Sequence, residues 1–104
     1  FILLKRKRKK LISSKIAKKM ISSGKIYKII DVRSKKEWNK GHHPYAINIP
    51  IKELKKYNLN KLYKNKNILI YCRSGRRALK AVKYLNKKGF KNIYYINKTY
   101  KSLL

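Results

Sequence analysis

Acidic side chains are almost missing from this sequence. Asp31, Glu37 and Glu53 stand against 31 Lys and Arg, giving a formal charge of +28 over 104 residues. Such an excess favours polyanionic surroundings: RNA, DNA or an anionic membrane surface. It also predicts a fold whose self-repulsion makes it sensitive to salt. Outside the N-terminus the bases are scattered, as a composition rich in Lys, Asn, Ile and Tyr would leave them. The contact expected with nucleic acid or membrane is therefore weak and nonspecific. Cysteine is scarcer still, with Cys72 alone. One thiol excludes an internal disulfide and a zinc site built on several thiolates, and it suits a reducing compartment or a reactive role.

Long apolar runs are missing too. The chain starts "FILLKRKRKK", four apolar residues and then six bases. Four is far short of the ~20 that a spanning helix needs. An apolar stretch closed by Lys and Arg is nevertheless how a membrane helix ends on its cytoplasmic side. No Met opens the chain. Residues 1–10 therefore read as a basic tail, or as the end of a truncated membrane anchor that tethers a cytoplasmic domain to the inner face of a membrane. Residues 11–104 read as one domain, and 43% hydrophobic residues are enough for one core.

The pattern within that domain alternates helix and strand. "SSKIAKKMISSG" predicts a helix capped by Ser13 or Ser14 and closed by Gly24. A strand follows over Ile26 to Asp31. Ser34 and Glu37 have capping-box spacing for a short helix that Gly41 closes. "YAINIP" predicts a second strand and "IKELKKY" a helical turn or two. "NILIYC" is an apolar run bounded by Asn67 and the Cys72 loop, as strands buried on both faces of a parallel sheet are. Ala78, Leu79, Ala81, Val82 and Leu85 form one face of a helix from about Arg76 to Lys88. "KNIYYIN" predicts the last strand and "KTYKSLL" a final helix. This order argues an α/β domain around a largely parallel sheet.

Cys72 ends the strand that looks most buried, the place where open α/β sheets bind ligands. The next helix starts within a few residues, so main-chain N–H groups of Arg73 to Arg77 can curl around the sulfur. A helix N-terminus and nearby cations both favour an ionised sulfur. Gly75 permits a turn that a side chain would forbid, and the arginines supply donors for an anionic substrate. Three Arg and a Gly within five residues make a poor setting for a merely buried cysteine.

"YCRSGRRA" resembles the active-site loop of the rhodanese-like sulfurtransferase family, and "IIDVRSKKEWNKGHHPYAINIP" resembles that family's upstream signature. The likeness runs from about Ile12 to Ile96. It implies a three-layer α/β sandwich around a mostly parallel sheet of about five strands. It implies a reaction in which Cys72 takes a sulfane sulfur from thiosulfate or a persulfide donor, holds it as a covalent persulfide, and passes it to a thiol acceptor, small or protein. No metal and no organic cofactor is implied. Arg73, Ser74, Gly75, Arg76 and Arg77 would form the substrate-binding loop, with Arg73 or Arg76 attracting the anion. Asp31 and Arg33 match the family's D-V-R and would tie loops near the pocket, and His42 would be a hydrogen-bonded scaffold residue. Glu37 and Trp38 match an acidic-aromatic pair, for which capping and core packing are sufficient roles. His43 replaces the usual Ile or Leu, Tyr45 replaces a Gly, and "INKTYKSLL" departs from the usual Gly-Gly and aromatic sequence. The alternative functions are a non-catalytic or relay module carrying sulfur between proteins, with a link to tRNA thiolation, and a phosphatase-like activity. Phosphatases of this fold place five residues between Cys and Arg. Four lie between Cys72 and Arg77 here, a ring better matched to one sulfur atom.

Overall fold

The computed structural model describes residues 10–104, and all of the expected basic tail except Lys10 lies outside the described residues. No helix among the described residues is long and apolar enough to cross a membrane. Four parallel strands, β1 (Lys28–Asp31), β2 (Ala46–Asn48), β3 (Ile68–Tyr71) and β4 (Ile93–Tyr95), form one sheet in the order β2-β1-β3-β4. Leu11 makes an isolated parallel bridge to Tyr95. The family likeness implies about five strands; among the described residues the sheet has four, and Leu11 adds one pairing at the β4 edge, held by the Ile12 N–H on the Tyr95 carbonyl at 2.9 Å. Ser13 and the helix it caps follow directly, so the pairing does not extend past Ile12.

The sheet is buried on both faces, which is why β3 reads as an unbroken apolar run. Ile30, Ile68, Ile70, Ile93 and Cys72 pack on one side with Ala78, Ala81, Val82 and Leu85 of α3 (Arg76–Lys87). Ile29, Leu69, Tyr71 and Ile96 pack on the other with Ala17 of α1 (Ser14–Ser22) and Leu103. Alternate residues of each strand serve opposite layers, as the pleat requires.

Ser13 caps α1, accepting the Ile16 N–H. Ser34 and Glu37 form the expected reciprocal capping box on α2 (Lys35–Asn39). "IKELKKY" gives only a 3-10 turn, Leu54–Lys56, and the final helix is also a 3-10 turn, Tyr100–Leu103. Leu103 is buried, and Ser102 bonds Ser14 at 2.7 Å, so tertiary contacts with α1 fix this turn despite its length. After β1 the chain runs to β2 on one side; after β3 it runs to β4 on the other. The carboxyl ends of β1 and β3 therefore form the crevice where such sheets hold ligands.

Candidate active site

Cys72 follows β3 directly and is 1% exposed. Its Sγ accepts the N–H groups of Gly75 at 3.1 Å and Ala78 at 3.3 Å. Helix α3 has no side-chain cap and no acid in its first turn. The sulfur takes the place that a capping Ser or Asp oxygen normally fills, on the third residue inside the helix. Sequence spacing anticipates donors from Arg73 to Arg77; Gly75 belongs to that stretch and Ala78 lies one residue beyond it. Gly75 has φ +98°, and a Cβ there would meet Asn97 Cβ at 2.9 Å and its Cα at 3.0 Å. The turn needs glycine for both its conformation and its contact with the segment after β4.

Beside it, β1 ends at Asp31, paired in register with Tyr71. Asp31 is fully buried, and a buried carboxylate needs charge and hydrogen bonds around it. Arg33 supplies both, with its main-chain N–H at 2.9 Å, Nε at 3.0 Å and Nη2 at 2.7 Å. Nη2 also donates to the Gly41 carbonyl at 2.7 Å. The guanidinium lies 5.6 Å from the Tyr71 ring centre and 5.1 Å from that of Tyr100. Burial works against the Arg33 charge, but the Asp31 hydrogen bonds and charge more than offset it, and its pKa is raised. Asn48 Nδ2 donates to the carbonyls of Asp31 and Arg33, fixing the turn between them.

A second ion pair closes the other side. Arg77 Nη1 and Nη2 bond the two oxygens of Glu37 at 2.7 and 3.0 Å. These hydrogen bonds hold the Glu37 carboxyl down at about 2 and raise Arg77. Glu37 thus caps α2 and also anchors the first turn of α3, a partnership that no local spacing announces.

Arg33, Glu37, Lys40, Gly41, Cys72, Arg73, Thr99, Tyr100 and Lys101 line an open cleft of ≈ 360 Å³ over the sulfur. Arg73 is the loop arginine on this wall. Arg76 and Ser74 are exposed and off it, and the Arg77 head is occupied by Glu37. His42 stands apart: Nδ1 pairs with the Trp38 carbonyl at 2.9 Å, and its ring stacks on Trp38 at 3.4 Å. His43 is buried; its N–H donates to Tyr71 Oη and its Nδ1 accepts the Tyr45 N–H. Burial lowers the His43 pKa. The sequence does not place Lys40, Gly41, Thr99, Tyr100 and Lys101 at the site; it marks Gly41 only as a helix end and residues 98–104 only as a final helix. Gly41 is where Tyr100 crosses, since a Cβ at residue 41 would stand 2.3 Å from the Tyr100 hydroxyl.

The model of the rhodanese-like domain matches residues 13–103. The chain belongs to the rhodanese-like family. Among curated members, this rhodanese-like domain is 38% identical over 82 residues to the Bacillus subtilis "Putative sulfur carrier protein YrkF", covering 79% of the chain and 44% of that protein. It therefore spans less than half of YrkF. It is 33% identical over 84 residues to the "Putative sulfurtransferase YtwF" of the same organism, covering 81% of each. The solved structure of a rhodanese-like domain protein from Staphylococcus aureus superposes on it with a TM-score of 0.75 at 31% identity, covering 91% of both chains.

Proposed function

We propose that this rhodanese-like domain is a sulfurtransferase working through a persulfide on Cys72. The observation that carries the reading is a lone cysteine at the sheet's crevice, its sulfur held by two main-chain N–H groups and bordering a cleft with Arg73 and Lys101. The Cys72 thiolate attacks the outer sulfur of thiosulfate. A Cys72 S–S bond forms, the donor S–S bond breaks, and sulfite leaves with the electron pair. Amide donors aimed at the sulfur stabilise the charge that the persulfide carries. An acceptor thiolate then attacks the terminal sulfur, becomes a persulfide itself and returns Cys72 as thiolate. Cations on the cleft wall favour anionic donors.

Intact-mass spectrometry after thiosulfate treatment tests this. The expected result is one added sulfur, removed by cyanide and absent from Cys72→Ser. Loading from a small persulfide but not from thiosulfate would assign a persulfide donor and favour the sulfur-relay role. An unchanged mass with both donors would sink the reading.

A further inference from the structure

The opposite edge of the sheet carries a second feature that sulfur transfer does not use. Gly24, Lys25 and Tyr27 lead into β1, and Asn65, Lys66 and Asn67 lead into β3; together they line an open pocket of ≈ 460 Å³. Its rim is stitched by Asn67 Nδ2 on the Lys25 carbonyl at 2.9 Å and the Tyr27 N–H on the Asn67 carbonyl at 2.8 Å. Asn92 Nδ2 holds the Asn65 carbonyl at 3.0 Å. Tyr27 pairs with Tyr63, ring centres 5.2 Å apart, and Tyr63 is 55% exposed. Lys28 and Lys66 set their Nζ atoms 5.3 and 5.9 Å from the Tyr27 ring centre. Among the described residues, no carboxylate lines the pocket. Lysines far apart in sequence are gathered here, around aromatic rings.

We propose that this amino-terminal edge binds single-stranded nucleic acid. Lys25, Lys28 and Lys66 take the phosphates, and the exposed Tyr63 face takes a base, the combination that single strands need. Asn65 presents an amide beside them for a base edge. An acidic protein would match the lysines but make less use of an exposed aromatic side chain among them. An anionic membrane would be met by exposed aliphatic side chains, whereas this rim is Lys, Asn and Tyr. The site lies across the sheet from Cys72, so a bound strand leaves the cleft open.

The test is titration of labelled uridine-rich RNA and thymidine-rich DNA oligomers into the whole chain at several salt concentrations. Lys25→Ala/Lys66→Ala should flatten the slope of log affinity against log salt by about 1.4, from ~0.7 per phosphate contact on single strands. The control is Lys15→Ala/Lys18→Ala, which removes the same charge from exposed positions of α1 and should change the slope far less. Tyr63→Ala should weaken binding about fivefold or more, with Tyr63→Phe retaining it. Polyphosphate of matched length should bind more weakly than either oligomer. Equal effects from both lysine pairs, or polyphosphate binding as tightly as RNA, would overturn the proposal in favour of undirected charge. Thermal unfolding of each variant checks that the fold is intact.

Discussion

The two edges of the sheet share one excess of cations and handle it in opposite ways. At the carboxyl edge, Asp31 and Glu37 each grip a guanidinium in a forked, multiply bonded pair. At the amino edge, Lys28 and Lys66 have the ring of Tyr27 beside them and, among the described residues, no carboxylate in the pocket. The difference teaches what scarce acids do in a basic protein. Asp31 and Glu37 fix the loops around Cys72 by pairing Arg33 and Arg77, and leave Arg73, Lys40 and Lys101 of the cleft without a carboxylate partner among the described residues.

Several substitutions would break that contrast, from the largest effect to the smallest. Cys72→Ser should abolish sulfur loading by mass spectrometry while leaving the thermal transition close to wild type. Asp31→Ala should cost about 3–5 kcal/mol in urea unfolding, because it strands a largely buried guanidinium. A loss below about 1 kcal/mol would show that water reaches Arg33 freely. Gly75→Ala should cost about 1–3 kcal/mol through backbone strain and the Asn97 contact, and should slow persulfide formation. Glu37→Gln should cost less than about 1 kcal/mol, since both partners are 32% exposed and solvent screens the pair.

That last variant also carries a pH signature. Glu37 sits at about 2 in the fold against 4.5 for an ordinary carboxyl, so its contribution is whole above pH 4.5 and is lost as pH falls through about 2. The Tm gap between wild type and Glu37→Gln should close over that window. His43, lowered by burial, contributes stability above 6.5 that is lost as pH falls below it. Replacing it with Leu should flatten that part of the Tm profile; an unaltered profile would mean that the imidazole charges without cost.

Much of this architecture is legible in the residues. β3 announces itself as an apolar run, α3 by one apolar face, and the α2 start by Ser34 and Glu37, because each signal is local and periodic. What escapes is contact between distant segments. Glu37 and Arg77 are 40 residues apart, and nothing near Glu37 marks it as more than a cap. Tyr100 reads as part of a terminal helix until tertiary packing seats it beside Arg33. The cluster of Lys25, Tyr27 and Lys66 is invisible as well, since its members come from the approaches to two strands. Scattering along the chain says nothing about scattering in space.

The crossing of Gly41 by Tyr100 makes one position answer to two separate demands. With the hydroxyl where a methyl would sit and φ at +146°, any side chain at residue 41 is opposed by its own backbone as well as by Tyr100. Lineages that lose the tyrosine should therefore still keep the glycine, because the backbone demand outlives the contact.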